Sequence, residues 1–400
     1  MRSIRIIPLF LALTALPAAA QEGEQLLTAA RIAALPAAER EAWTRYVAES
    51  ARLKAADAAS IAAEVRAAGR SEWTPAEEGP SFYLGDEMTA EWFRGAEARR
   101  MADIILSYQT PTGGWSKRVS HTGQPRQPGQ GYTHEGRNYV GTFDNGATTE
   151  EMRFLAGAYE GHGDARFRDG YLRGLAYTLR AQLPTGCWPQ VYPLQGGYHD
   201  AATFNDDATV RILRVLRDAA AGKPAFVPPA ERQRARTAVD GGVECIVRSQ
   251  IVVDGKLAGW GAQHDPITLA PVKARAYEHR ALSGREGAEV MNFLMQLDAP
   301  SPRVAAAVHA GAAWFRRVAI QNMAYQVKGE LTPREGAGPI WARFYEIGTD
   351  RPIFSNRDGV VRYAWSELEP ERRYGYGWYT DEPATTLRRY DRWARTHPAR

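Results

Sequence analysis

The sequence predicts an all-α fold: an open (α/α) toroid of about three helical hairpins, whose long loops form a cleft and which carries few short strands. Three observations predict it. First, helical-period segments alternate with a recurring loop phrase: Gln109-Thr-Pro-Thr-Gly-Gly-Trp115, Gln182-Leu-Pro-Thr-Gly-Cys-Trp188, and Gln250 followed by Asp254-Gly255 and Gly259-Trp260. Second, Thr142-Phe-Asp-Asn-Gly-Ala-Thr148 and Thr203-Phe-Asn-Asp-Asp-Ala-Thr209 each open a helix, with a looser third copy at Leu282-Ser-Gly-Arg-Glu-Gly287. The period, roughly 60 to 70 residues, is too long for short solenoid repeats and suits a helical hairpin plus a long loop. Third, strand-type alternation is scarce, with extended pieces expected only near Ile251 to Val253 and Gly359 to Tyr363.

Taken in order, Met1 to Ala20 has a basic start (Arg2, Arg5), an apolar stretch from Ile6 to about Leu16, and the small residues Ala18-Ala19-Ala20 before Gln21. This reads as a secretory signal peptide over 1–20, because the apolar run is shorter than the roughly 20 residues a spanning helix needs. No later segment reads as a span, so an exported chain, periplasmic or secreted, is expected. Residues 21–75 are Ala-rich, with apolar residues at helical spacing on either side of Pro36, and predict two helices. Trp73 to Gly85 reads as a surface linker, and the catalytic domain is expected over 76–400, beginning with a helix from Thr89, its N-cap, to Tyr108. The hairpins follow. In the first two, Thr, Asn and Asp at the start of the second helix are good capping residues. Equivalent loops gathered at one end of a toroid make a cleft.

Composition is that of an ordinary globular protein, with 44% hydrophobic and 24% charged residues, and the net charge of +4 is too even to point to nucleic acid. HExxH, GxSxG, GxxxxGK[ST] and CxxC are all absent from the sequence, which removes the usual signatures of metalloproteases, α/β-hydrolases and nucleotide-dependent enzymes. Two cysteines, Cys187 and Cys245, cannot close a zinc or iron–sulfur site. In an oxidising compartment a single disulfide between them is an open question.

What remains is acids and arginines. Asp144 and Asn145 in one repeated turn, and Asn205, Asp206 and Asp207 in the next, are hard oxygen donors. Asp144 and Asp206 could share a calcium ion across the cleft, or all five could simply cap helices. Arg275 in Lys-Ala-Arg-Ala-Tyr-Glu278, Arg343 in Trp-Ala-Arg-Phe-Tyr-Glu346 and Arg357 in Phe-Ser-Asn-Arg-Asp-Gly359 sit among aromatics. Their planar forks suit carboxylates, either on an anionic substrate or on the neighbouring Glu278 and Glu346. Lys117 could reach a substrate carboxylate or remain solvated. Trp115, Trp188 and Trp260 are sugar platforms or plugs of the toroid, and His264-Asp265 is a base with its orienter or a fixed turn. Tyr192, Tyr277 and Tyr345 belong to the core or the cleft wall.

As a group these phrases resemble the pectate lyases of polysaccharide lyase family 10. The motifs that carry the likeness are Gln109 to Lys117, Thr142 to Thr148, Gly186-Cys-Trp-Pro-Gln-Val-Tyr-Pro193, Thr203-Phe-Asn-Asp206, Ala262-Gln-His-Asp-Pro266, Ala274-Arg-Ala-Tyr-Glu278, Trp341 to Gly348 and Phe354 to Gly359. They run in matching order from about Glu91 to Tyr379. The resemblance implies cleavage of de-esterified polygalacturonate by calcium-assisted β-elimination. It makes Arg275 the Brønsted base, Asp144 and Asp206 calcium ligands with Asn145 beside them as a substrate contact, and Lys117, Arg343 and Arg357 contacts to substrate carboxylates. The chain departs from the family pattern at Ser116, where Pro is usual, at Cys187, where a second Gly is usual, and in Arg280-Ala-Leu-Ser-Gly284 and Ala258-Gly-Trp-Gly-Ala262. None of these removes a matched catalytic position.

An arginine base has to lose its proton from a group whose pKa is above about 12. Neighbouring cations and partial burial are expected to lower that value, so activity should rise into alkaline pH. Two other readings compete: an inverting glycoside hydrolase using Asp144 and Asp206 as acid and base, and a non-catalytic polyuronide-binding protein. No nucleic-acid or membrane partner is expected, and a monomer is the default state.

Overall fold

The computed structural model describes residues 25–135, 140–326 and 331–399. The leader lies outside the described residues. Three helical hairpins form the body: α4 (Thr149–His162) with α5 (Ala165–Arg180), α6 (Ala208–Ala220) with α7 (Pro229–Ser249), and α8 (Glu286–Leu294) with α9 (Pro302–Arg317). Before them come α1 (Ala29–Ala33), α2 (Ala37–Ala67) and α3 (Ala96–Ser107). After them come α10 (Pro370–Gly375) and α11 (Glu382–Trp393). α3 packs on α4, and α11 packs on α8 and α9. Among the described residues no helix is long and apolar enough to cross a membrane.

The hairpin corners follow ordinary helix chemistry. Gly163 ends α4 in the left-handed region (φ 66°), and Asp164 caps α5 by accepting from Arg166 N. Ser301 does the same for α9 through Val304 N, and a proline follows at the first helical position of α7 and α9. The helix expected from Thr89 is shorter than the pattern predicts. Thr89 Oγ1 instead accepts from Trp92 N, ahead of a 3₁₀ turn over Trp92–Arg94 whose N-cap is Glu91, and α3 starts only after Gly95, whose extended backbone breaks the helix.

Each long loop leaves α3, α5 or α7, which with α9 form the outer row of helices, and enters the next hairpin at α4, α6 or α8, and the recurring phrase anchors it. The indole N–H groups of Trp115, Trp188 and Trp260 donate to Ile105 O, Thr178 O and Ile246 O at 2.7, 2.9 and 2.8 Å. Gln109, Gln182 and Gln250 each donate twice, once within their own loop (Gly113 O, Gly186 O, Ala258 O) and once to the next outer helix (Gly170 O, Ala238 O, Ala307 O). The same tryptophans press on Gly174, Gly242 and Gly311, where an added Cβ would lie 2.9–3.0 Å from the indole ring. Trp341 is a fourth copy: buried, with its N–H on Phe315 O, but preceded by Gly336-Ala-Gly-Pro-Ile340 without the Gln and the adjoining Gly or Cys of the other phrases. The tryptophans are therefore plugs, not sugar platforms.

The loops also pair with one another, which gathers them at one end. Thr142 bridges Val191, Ala202–Thr203 pairs with Gln263–His264, Leu282–Ser283 with Phe344–Tyr345, and Trp341–Ala342 with Tyr379–Thr380, all antiparallel. Two- and three-residue strands of this kind escape pattern reading. The two expected extended pieces are hairpins, Val252–Val253 with Lys256–Leu257 and Phe354–Ser355 with Val361–Arg362. Cys187 and Cys245 form a disulfide that ties the second loop to α7 across 58 residues, a closure that contributes about 4 kcal/mol in the chain-entropy account.

The N-terminal helices lie against these loops. Asp57 on α2 accepts from Thr112 N (2.9 Å) and Oγ1 (2.6 Å), Ser50 accepts from Leu194 N, Tyr46 donates to Ala181 O, Glu64 pairs with Arg126, and Arg31 pairs with Asp265 at 2.7 Å. The stretch from Trp73 is also pinned, through bridges from Thr74 to Gln130 and Glu78 to Val119. One apolar core runs through the hairpins. A smaller cluster, including Tyr277, Phe344, Phe354, Tyr376 and Trp378, supports the last loops.

Candidate active site

The two repeated turns lie against each other at the loop end. Asn145 (φ 52°, ψ 34°) and Asp206 (φ 51°, ψ 30°) occupy the same position in them, both left-handed, and Asp207 follows at φ 63°. Left-handed backbone at a non-glycine residue costs on the order of 1–3 kcal/mol and tends to mark functional turns. Aligning the turns on their threonines places Asp144 opposite Asn205 and Asn145 opposite Asp206, so each turn carries one acid and one amide in swapped order. None of these side chains caps a helix, since neither α4 nor α6 has a side-chain capping bond. The threonines hold the turns instead: Thr148 Oγ1 accepts from Trp115 N and donates to Thr142 O (2.8 Å), and Thr209 Oγ1 donates to Thr203 O (2.7 Å). The oxygen donors are thereby released for other use.

Charge is dense around them. Lys117 Nζ sits 2.7 Å from Asp144 Oδ2 and 3.7 Å from Glu135 Oε2. Asp206 Oδ2 accepts from Asn205 Nδ2 at 2.7 Å. Burial raises the Asp206 pKa, Arg343 opposes this, and the facing Asp144 raises it further. Arg285, from the third copy of the turn, lies 3.6 Å from both Asp206 and Asp207. Burial also lifts Asp207 to about 6. His199, held by burial to a pKa of about 4, feels Asp144, Lys117 and Arg275 together, which places it between the acid turn and the arginine wall.

Arg343 is the buried centre of that wall. Its Nη2 reaches Glu286 Oε1 at 2.7 Å, Asn205 Oδ1 at 3.0 Å and Asp206 Oδ1 at 3.8 Å, and its guanidinium stacks 4.7 Å from the Tyr376 ring. Its partner is Glu286, not the sequence-adjacent Glu346, which bonds Thr349 and Tyr363. Arg275 is clamped by Glu278, through Nε at 2.8 Å and through Nη2, and Glu278 also accepts from Tyr376 OH at 2.8 Å. Arg357 lies over Tyr277 and pairs with Glu371 at 3.0 Å, with its side chain 66% exposed. Arg275 and Arg343 therefore share Tyr376, Arg275 and Arg357 share Tyr277, and all seven predicted residues fall in one neighbourhood.

One electrostatic expectation is overturned. Burial does lower the Arg275 pKa, but the clamp by Glu278 outweighs it, and the guanidinium is held well above its ordinary value. The His264-Asp265 base is excluded as well. His264 is fully buried, accepts from Gly261 N on Nε2 and faces Leu269 O with Nδ1, while Asp265 fixes its own turn through Ile267 N and Thr268 N. Sequence reading misses Arg285 and Glu286, whose signal is only the loosest copy of the turn. It also misses Tyr376 and His199, which have no local signal.

Among the described residues no group of three or more His, Cys, Asp or Glu side chains could hold a metal ion by itself. Asp144 and Asp206 nonetheless fit a shared calcium ion in chemistry. They are hard oxygen donors on facing turns, their mutual repulsion raises the Asp206 pKa, and a cation between them relieves that repulsion. Asn145, beside Asp144 in the first turn, offers a further oxygen donor.

The Pectic acid lyase family model matches residues 109–387. Among solved structures, the family 10 polysaccharide lyase from Cellvibrio cellulosa matches at 35% identity and a TM-score of 0.68, over 78% of this chain and 98% of that one. A point mutant of a family 10 polysaccharide lyase from the same organism, in complex with trigalacturonic acid, matches at the same identity and TM-score over 78% and 99%. No curated protein matches the chain. With its repeated acid turns, its arginine wall and these matches, the chain belongs to the pectic acid lyases, the pectate lyases of polysaccharide lyase family 10.

Proposed function

We propose that this pectate lyase cleaves α-1,4-linked polygalacturonate by calcium-assisted β-elimination, with Arg275 as the base that takes the C5 proton. The observation that carries the reading is the joining of two opposed acid turns to three arginines within one loop cluster. That a family 10 lyase has been seen with trigalacturonic acid supports the substrate class.

Asp144 and Asp206, with Asn145 beside them, would hold the calcium. When bound, the ion neutralises the substrate carboxylate next to C5 and stabilises the charge that develops there. Lys117, Arg343 and Arg357 take up substrate carboxylates. Arg343 is pinned by Glu286 and Asn205, so it can meet developing charge without reorganising. The C5–H bond breaks toward Arg275, its electrons form the C4–C5 double bond, and the C4–O4 bond breaks. The departing oxygen takes a proton from solvent, leaving a 4,5-unsaturated end. An export leader over 1–20, as read from the sequence, would put this activity outside the cytoplasm, and the Cys187–Cys245 disulfide suits that compartment.

Calcium dependence tests the ligand assignment. Asp144→Ala is expected to need at least about 10-fold more calcium for half-maximal rate, the equivalent of about 1.4 kcal/mol. An unchanged calcium titration would remove Asp144 from the ion's shell.

A further inference from the structure

We propose that Glu278 is a positioning residue for this reaction: it clamps Nε and Nη2 of Arg275, so that Nη1 is the nitrogen that meets the C5 hydrogen. The inference rests on the base reading above and deepens it. Glu278 is buried at 6% exposure, with Arg275 three residues before it as its ion-pair partner. Most of its hydrogen bonds are to Arg275, and Tyr376 is the other donor to its carboxylate. Its carboxylate takes Arg275 Nε at 2.8 Å, Arg275 Nη2, Arg275 N at 3.2 Å and Tyr376 OH at 2.8 Å. Its own N–H donates to Arg275 O at 2.9 Å, and its carbonyl accepts from Ala274 N at 3.0 Å, closing a tight turn over 274–278. A two-point contact of this kind fixes the plane of the guanidinium as well as its distance. Tyr277 and Tyr376 lie 5.1 and 5.9 Å from Arg275 Cζ and limit its tilt.

The clamp has a second consequence. A carboxylate in contact with the guanidinium holds the proton on Arg275, so Glu278 sets how alkaline the medium must be before the base is free. The other groups that face the pair are cations, a histidine and the tyrosines Tyr376 and Tyr277, whose hydroxyls, once ionised, also favour the protonated guanidinium. Arg343 approaches Glu278 behind Tyr376, Arg372 stands over Tyr277 at 4.5 Å, Arg357 over the same ring at 5.7 Å, and neutral His199 faces Arg275 from the second loop. Glu278 is thus the one acid in contact with Arg275 among the described residues.

The test is the pH profile of kcat in three full-length variants. In Glu278→Gln, which keeps the shape and removes the charge, the rising alkaline limb is expected to level off about one to three pH units below wild type. Plateau kcat should fall at least about 10-fold, with KM within about twofold, because orientation is lost and substrate contacts are not. Tyr376→Phe keeps the ring and removes a competing donor to Glu278, so its limb should stand at or above that of wild type. It decides the matter if Glu278→Gln does not fold. A Glu278→Gln profile parallel to wild type, or a Tyr376→Phe limb that moves down, overturns the clamp. Arg275→Lys separates the two ideas. If it abolishes turnover while the Glu278→Gln limb stays put, the base survives and the clamp fails. If it keeps wild-type turnover and limb, the base falls and the clamp with it.

Discussion

Arg275 shows how one contact decides a residue's chemistry. Its surroundings include Arg343 and Arg357, the cations that the sequence led us to expect, and Arg372, which it did not, yet a single buried carboxylate in contact sets the balance. Direct contact wins because Coulomb energy falls with distance and because burial strengthens what lies close. Activity should therefore rise steeply with alkalinity. Arg275→Lys should lose about 10²–10⁴-fold in kcat, the usual worth of a positioned base, with little change in KM. A kcat within threefold of wild type would show that another group takes the proton. Asp206 shows the opposite balance: burial and the facing Asp144 push its pKa up, a state that a bound cation would reverse.

At the scale of the element, the repeat is the unit that folds and the unit that was legible. Gln and Trp recur because each makes the same bonds in all three copies, and Thr because it makes the same bond in the first two, so a local phrase reports a local structure. The capping explanation for the acids failed on geometry, since the threonines took that structural work and freed Asp144 and Asp206. What was hidden lay in long separations: Arg343 meets Asn205 across 138 residues and Tyr376 meets Glu278 across 98, and no phrase spans such distances. Trp341 was hidden for a different reason, as a plug whose preceding Gly336-Ala-Gly-Pro-Ile340 lacks the Gln and the Trp-adjoining residue that mark the other phrases. The plug itself is testable. In Gly242→Ala the new Cβ would lie 2.6 Å from Leu213 Cδ2 and 2.9 Å from the Trp188 ring, and overpacking of this kind costs about 1–3 kcal/mol. A denaturant midpoint equal to wild type would show that the indole is not held against that glycine.

For the whole molecule, the described loops are braced from two sides. α1 and α2, outside the family match, tie down Thr112, Arg126, Leu194 and Asp265, and the disulfide ties the second loop to α7. Stability and activity nevertheless pull toward different pH. Glu151 is fully buried beside His121, at 3.6 Å, and burial lifts its pKa to about 8 while dropping that of His121 to about 4. A carboxyl whose folded pKa lies above its unfolded value gives stability that is complete below about 4.5 and is lost as pH rises through about 8. Glu151→Gln, which keeps the neutral shape, should flatten that decline and gain several degrees in Tm at pH 9 relative to pH 5. Parallel Tm profiles would show that Glu151 ionises without cost.

The most direct test of the central claim is absorbance at about 235 nm during incubation of the protein with polygalacturonate at alkaline pH, first with calcium and then with a chelator. The account predicts a steady rise from 4,5-unsaturated ends that the chelator stops. New reducing ends without that rise would mean hydrolysis by the acid pair and would contradict it.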